Sequence, residues 1–127
     1  MTPTDPTLAY RRAAIDNAPP LKLVQMLYQG GLRFIGEGRA ALEAGDLPRY
    51  TDRLGKAQAI VAELRTCLDT EAAEGLCEQL SSLYGYMQNE LTEAIIDKDV
   101  NNLDGVEGVL RTLLEAWRAL DFQEGAA

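Results

Sequence analysis

The chain has 127 residues, of which 46% are hydrophobic and 25% charged, and this fits one domain, residues 1–127, that buries roughly two-thirds of its unfolded surface. Its net charge of -8 excludes nucleic acid or an anionic membrane as the main partner, because both require a basic surface. The sequence contains no His, which removes the commonest general base and the commonest metal ligand.

The N-terminal region is rich in proline, with four of the five prolines among the first 20 residues. They frame an apolar segment, Leu8 to Ile15, that is long enough for two helical turns only, and isolated helices this short are marginal in water. We therefore predict that residues 1–18 form a mobile segment whose short helix is ordered only when it docks. The region lacks the apolar core of a signal peptide, and no apolar run reaches the length of a membrane span, so we expect a cytoplasmic protein without membrane insertion.

The next two segments have the apolar periodicity of helices. Residues 20–44 repeat apolar side chains at spacings of three, four or seven, and Gly45 follows as a candidate C′ residue. Asp46 is the predicted N-cap of a second helix over 47–69. The apolar stripe of that helix is Tyr50, Leu54, Ala57, Val61, Leu64 and Leu68.

Two further helices are predicted over 71–98 and 102–122, the second capped by Asn101 or Asn102. Their stripes are Leu76, Leu80, Leu83, Met87, Leu91 and Ala94, then Leu103, Val106, Leu110, Leu113, Trp117 and Leu120. No run alternates like a strand, so the fold class is all-α: an antiparallel up-down four-helix bundle with a short extra N-terminal helix. The residues at the middle of the stripes are predicted to be buried: Leu64, Leu83, Leu110 and Trp117.

Two features exceed what four packed helices need. The first is a group of glycines within the first long helix, Gly30, Gly31, Gly36 and Gly38, which favours close approach of another backbone, a groove for a partner helix, or a local break. The second is a surplus of apolar side chains beside each core stripe. Either a wider core or a docked segment, a dimer partner or a ligand would cover this surplus, and the pattern alone leaves both open.

Catalytic chemistry is not indicated. No phosphate-binding loop, dinucleotide fingerprint or zinc-protease motif occurs, and Ser81 and Ser82 have no His base to activate them. We predict that the protein is not an enzyme and has no metal or cofactor. Cys67 and Cys77 form no CxxC pair, and we predict two reduced thiols near one end of the bundle, with a disulfide as the alternative.

Four motifs in order resemble those of the flagellar secretion chaperones, the flagellin-binding FliS family. They are QMLYQGGLRFI (25–35), LGKAQAIVAELRTCLD (54–69), LSSLYGYM (80–87) and, at the end, Val106-Glu107 with Ala116-Trp117. Tyr10 stands where the family keeps an N-terminal Tyr. Two departures are local: Pro19-Pro20-Leu21-Lys22 replaces a Ser cap, Pro and two acids, and Ala94-Ile95 replaces Ala-Asn.

The resemblance implies a cytoplasmic export chaperone that binds the disordered C-terminal segment of flagellin, prevents its premature polymerisation and supports its delivery to the export apparatus. It also implies contact with an export gate component when loaded. We assign Tyr10, with Ile15 from the same segment, as an N-terminal lid. The residues predicted to form the flagellin-binding groove are Val24, Tyr28, Leu32, Ile35 and Ile60.

The alternative is a structural or regulatory bundle that homodimerises through its second apolar stripe and has no client. As a chaperone, the free protein is expected to be a monomer or weak homodimer.

Overall fold

Four α-helices make up the computed structural model of the chain, which describes the backbone of residues 20–66 and 74–126 and the side chains of 22–66 and 78–119. No strand occurs within these ranges, and the predicted all-α class is confirmed. The predicted N-terminal helix and the thiols of Cys67 and Cys77 lie outside the described residues and side chains. The helices are α1 (Pro20–Glu43), α2 (Leu47–Thr66), α3 (Glu74–Asp97) and α4 (Asn101–Ala126).

Each helix packs antiparallel to the next, and two side-chain hydrogen bonds show the direction for α2 and α3. Tyr50 near the start of α2 donates to the carbonyl of Ala94 near the end of α3 (2.6 Å). Near the other end of α2, Arg65 donates to the side chain of Gln88 (2.7 Å). At the start of α4, the Asn102 side chain donates to Glu90 of α3. Because α4 also packs against α1, the four helices form a closed up-down bundle.

The turn between α1 and α2 is three residues long. Asp46 takes part in it through both its backbone N–H and its side chain. Gly45 has a φ of 77°, which glycine adopts without steric cost. The Gly45 N–H donates to Leu42 (3.0 Å) and the Asp46 N–H to Ala41 (2.8 Å), which is the Schellman pattern. The Asp46 carboxylate then accepts from the Arg49 N–H (3.1 Å), so Asp46 is the N-cap of α2, as the sequence predicts.

The turn between α3 and α4 departs from the predicted capping. Asp99, rather than Asn101 or Asn102, accepts the first free N–H of α4, from Asn101 (2.9 Å). The predicted cap was wrong because an Asp two residues earlier supplies the same interaction to the same helix end. Lys98 lies between α3 and α4 and has a left-handed backbone conformation, with φ of 53°. This conformation costs about 1 kcal/mol for a residue with a Cβ.

The core follows the predicted stripe in α2 but shifts by one residue in parts of α3 and α4. Leu64 and Leu110 are buried as predicted, whereas Leu83 and Trp117 are only half-buried. Tyr84 is the interior residue in place of Leu83, and Leu114 is buried where Leu113 was expected. Adjacent residues on a helix differ by about 100° in direction, so the position of the neighbouring helix decides which one faces inward.

The glycines of α1 allow close approach within the bundle at three of four positions. A Cβ at Gly30 would lie 3.3 Å from Ile60 Cδ1, and one at Gly31 would lie 3.3 Å from Leu110 Cδ1. A Cβ at Gly38 would lie 2.9 Å from a methyl of Leu54, which is fully buried. Of the interpretations that the sequence left open, intramolecular close packing therefore accounts for these three.

The fourth glycine provides a matched comparison. Gly36 has no heavy atom within 4 Å of an added Cβ, so Gly36→Ala is expected to stabilise the fold by about 0.5–1 kcal/mol through helix propensity alone. Gly38→Ala gains the same propensity but crowds Leu54, which costs about 1–3 kcal/mol. Urea denaturation should therefore give a lower unfolding free energy for Gly38→Ala than for Gly36→Ala. Equal values would show that α1 and α2 are not in close contact at this point.

Candidate functional site

The five residues predicted to line a groove divide into two groups. Tyr28, Ile35 and Ile60 are buried in the core, whereas Val24 and Leu32 are half-buried and pack against its edge. Val24 and Leu32 are eight residues apart on α1 and share one side of that helix. Only these two give α1 an accessible apolar surface at the predicted position. Tyr10 and Ile15 lie outside the described residues.

A hydrogen-bonded junction explains why Tyr28 is interior. The Tyr28 hydroxyl lies 2.8 Å from the hydroxyl of Tyr84 on α3, and it accepts from Trp117 Nε1 on α4, also at 2.8 Å. The three side chains come from the LY, LYGYM and AW motifs, which the sequence separates by 56 and 89 residues. Paired polar groups of this kind can be buried at little cost, because their hydrogen bonds replace those to water.

Burial at the junction changes the ionisation of Tyr28. Loss of solvent raises the pKa of Tyr28 above that of a free tyrosine, because the phenolate would be poorly solvated there, and the hydrogen bonds from Tyr84 and Trp117 offset only part of this. The group is therefore a neutral phenol at physiological pH. It joins α1 to α3 and α4 through its hydroxyl.

Charged groups close the other end of the contact between α1 and α4. Arg39 binds Glu107 through Nε and an amino nitrogen (3.2 and 2.8 Å) and also binds Asp104. The Glu107 side chain is 13% exposed, so this ion pair is shielded more than a usual surface pair. Glu107 belongs to the terminal VE motif, which thus has a structural role in joining the last helix to the first.

Among the described side chains, the amide of Gln25 is buried and has neither a hydrogen-bond partner nor an ion pair. Gln25 follows Val24 on α1 and is 6% exposed, and its Nε2 has no acceptor within hydrogen-bond distance. Buried amide groups without a partner are rare and costly, about 1–3 kcal/mol for a lost hydrogen bond. On a helix, Gln25 shares a side with Tyr28 and Leu32, three and seven residues later. Sequence reasoning missed Gln25, because the pattern gives no sign of an unsatisfied amide.

A second apolar surface lies between α3 and α4, where the sequence predicted no site. It is a groove of about 650 Å³. Its lining residues are Leu83, Tyr86, Gly105, Gly108, Val109, Thr112 and Leu113. Tyr86 is 43% exposed, so the groove is accessible to solvent. The sequence signal for this groove is the pair Gly105 and Gly108 within α4. Residues three apart lie on the same side of a helix, so this side of α4 lacks two side chains.

Within the described portions of the chain, no three His, Cys, Asp or Glu side chains are grouped so that they could hold a metal ion. In the same residues, none of the four helices combines the length and apolar character that crossing a bilayer requires. The arrangement offers surfaces for binding another chain, and its internal polar groups serve packing.

Comparison with known proteins identifies relatives over most of the chain. The profile of the family described as flagellar protein FliS matches residues 4–124. A flagellar secretion chaperone FliS of Vibrio cholerae is 36% identical over 113 residues, covering 86% of this chain and 83% of the relative. The Bacillus subtilis protein of the same name is 34% identical over 114 residues (90% and 84%), and that of Salmonella typhimurium 33% over 117 residues (88% and 87%).

The junction can be tested by removing one hydroxyl. Tyr28→Phe leaves the Trp117 N–H without its acceptor, so we expect a loss of about 1–3 kcal/mol in unfolding free energy by urea denaturation. Tyr86→Phe is the control, since residue Tyr86 is 43% exposed and its hydroxyl makes no hydrogen bond within the described residues, and it should change stability by about 0.5 kcal/mol or less. Similar losses in both variants would contradict the junction.

The raised pKa of Tyr28 predicts a loss of stability in alkali. The folded-state pKa of Tyr28 lies above its unfolded value, so the stability that Tyr28 contributes to the fold is complete below about pH 10, the usual tyrosine pKa. This stability is lost as the pH rises through the folded-state pKa. The unfolding free energy of the wild type should therefore fall more steeply above about pH 10 than that of Tyr28→Phe. Both proteins retain the buried Tyr50, whose pKa burial also raises, so their difference isolates Tyr28. Parallel pH profiles would refute this assignment.

Proposed function

Because the chain belongs to the flagellar protein FliS family, whose members named above are flagellar secretion chaperones, we propose that it binds the disordered C-terminal segment of flagellin before export. Its function is that of an export chaperone, and the family is not enzymatic. The observation that carries the proposal is the match over residues 4–124, together with family motifs whose residues occupy the core contacts of the bundle.

The client surface that we propose runs along the side of α1 that carries Val24, Gln25 and Leu32. The apolar pair offers contact area at the edge of the core, and the Gln25 amide beneath it is a donor that has no acceptor among the described residues. A carbonyl of the client backbone would satisfy that donor once the side chains that cover it move aside on binding. Tyr28, Ile35 and Ile60 would support this surface from inside rather than contact the client.

The client is expected to order on binding. A disordered segment loses conformational entropy when it binds, so it requires a large apolar contact to compensate. Sequestering an extended segment of flagellin in this way would keep it from polymerising before it reaches the export apparatus. We propose that the complex acts in the cytoplasm, that an export gate component contacts it when loaded, and that the free protein is a monomer or weak homodimer.

The N-terminal segment has a regulatory part in this proposal. Tyr10 and Ile15 would lie over the client surface when flagellin is absent, and the client would displace them. Competition of this kind lowers the apparent affinity by the fraction of molecules in the open state.

The test is calorimetric titration of the full chain with a flagellin C-terminal peptide. Leu32→Lys should weaken binding by roughly 10-fold or more, since it removes a leucine contact and places a charge at an apolar edge. Leu47→Lys is the matched control, an exposed leucine at the start of α2, and should bind like the wild type. Unchanged affinity for Leu32→Lys, with its helix content intact by circular dichroism, would place the client elsewhere.

Gln25 gives the same experiment a second arm. Gln25→Met removes the unsatisfied amide without a large change in volume, so the free protein should be as stable as the wild type or more so. Flagellin affinity should nevertheless fall about two- to tenfold, the value of one hydrogen bond. Gln29→Met, on the exposed side of α1 one turn later, is the control for both measurements.

Deletion of residues 1–17 tests the lid. Removal of a competitor should raise the apparent flagellin affinity, whereas a loss of affinity would make the segment part of the binding surface. A tight dimer that ignores the peptide in light scattering would instead support the structural, client-free alternative.

A further inference from the structure

The groove between α3 and α4 is distinct from the proposed client surface on α1. It contacts α4 on the side that faces α3, whereas Val24 and Leu32 belong to α1, which packs against a different side of α4. Its walls are apolar side chains, and its floor includes two glycines of α4. Nothing in the mechanism proposed above uses this surface.

Packing within the chain explains one of the two glycines and not the other. A Cβ at Gly105 would overlap the Tyr86 hydroxyl oxygen, so this glycine leaves room for the Tyr86 ring to lie across α4. A Cβ at Gly108 would meet no heavy atom within 4 Å, and Gly108 is exposed. A glycine within a helix costs about 1 kcal/mol relative to alanine, and at Gly108 no contact inside the described chain compensates for it.

Negative charge surrounds the groove. Within the helix spans, α1 and α2 together hold seven basic and four acidic residues, whereas α3 and α4 hold two basic and ten acidic residues, and α3 has no Lys or Arg. Because α1–α2 and α3–α4 form opposite sides of the bundle, the charges separate across it. The groove opens on the acidic side.

The strongest concentration of charge lies at one end of the groove. Glu90 and Glu93 follow Tyr86 by about one and two helical turns, and Asp97 lies one turn further. A hydrogen bond that protonated Glu93 donates to Glu90, together with the charges of Glu90 and Asp97, raises the pKa of Glu93, a sign of carboxylates crowded together. Among the described residues, no ion pair with Lys or Arg neutralises these three.

From the apolar groove and its acidic end together, we infer that this surface binds an amphipathic segment of a partner protein, with apolar residues at helical spacing and Lys or Arg beyond one end. A second copy of this chain is disfavoured, because its net charge of -8 would bring like charges together. A small molecule is disfavoured because the lining offers only the hydroxyls of Tyr86 and Thr112 to orient it. An amphipathic helix uses apolar anchors at spacings of three, four and seven, which suits a groove whose lining covers about two turns of α4, from Gly105 to Leu113.

The probe is a fluorescein-labelled helical peptide with leucines at spacings of three and four and two lysines after the last leucine, titrated into the full chain by anisotropy. A matched peptide has glutamate in place of lysine. We expect the lysine peptide to bind more tightly, and its advantage to shrink between about 50 mM and 500 mM salt as screening increases. Equal binding of both peptides, or no binding of the lysine peptide, would overturn the inference.

Two variants locate the site. Gly108→Leu fills the groove at a position where an added Cβ meets no heavy atom, and it should weaken the lysine peptide about tenfold or more. Gly55→Leu on α2 is the matched control, since an added Cβ there also meets no heavy atom within 4 Å, and it should bind normally. Glu93→Lys should weaken binding about threefold to tenfold at low salt, and Glu43→Lys at the end of α1 should not. An equal loss in both members of either pair would exclude this groove.

The flagellin titration separates this inference from the proposed function. A chain that binds the flagellin peptide but not the lysine peptide retains the proposed function and loses the groove assignment. A chain that binds the lysine peptide through Gly108 and Glu93 but ignores flagellin retains the groove and loses the proposed client.

Discussion

The bundle depends on the junction of Tyr28, Tyr84 and Trp117. Two hydrogen bonds join α1, α3 and α4, and one of them crosses between the diagonal helices α1 and α3, which otherwise meet little. Apolar packing alone tolerates small rotations of a helix about its axis, but hydroxyl and indole groups in an interior lose much of their value if they miss their partners by an ångström. The junction therefore fixes which side of α1, α3 and α4 faces inward, and the accessible surfaces of α1 and α4 follow from it.

The fold could largely be predicted because local rules determine it. Helical periodicity gives the elements, and the α2 stripe is correct at each described position from Tyr50 to Leu64. The turn at Gly45 and Asp46 follows from conformational preferences of single residues. Where the prediction failed, a distant partner decides: Leu83 and Tyr84 fit the helical pattern equally well, and only a hydroxyl on α1, 56 residues away, selects Tyr84 for the interior.

The site was harder to predict than the fold for a related reason. A second apolar stripe on a helix can face a partner or widen the core, and both choices give the same periodicity. On α1 the structure divides the stripe, with Tyr28 and Ile35 inside and Val24 and Leu32 at the edge. Family motifs did not separate these cases, since the LY, VE and AW residues of this chain hold helices together. Two further features depend on three-dimensional surroundings that no short sequence pattern encodes. They are the Gln25 amide without an acceptor among the described residues and the open space beside Gly108.

The three-residue turn between α1 and α2 has a consequence for the order in which the chain folds. The Asp46 N–H caps the C-terminus of α1 and its carboxylate caps the N-terminus of α2, so the connection between the two helices is as short as the turn itself. Closing so short a loop costs little entropy, and the contacts of Gly38 with Leu54 and of Gly30 with Ile60 join residues near in sequence. Contacts between α1 and α4 require closure of a loop several times longer. The hairpins α1–α2 and α3–α4, each joined by a three-residue turn, are thus expected to form first, and the contacts between α1 and α4 to form last. A fluctuation that reopens the bundle would retrace this order and separate α4 from α1 first, while the hairpin that carries the proposed client surface persists.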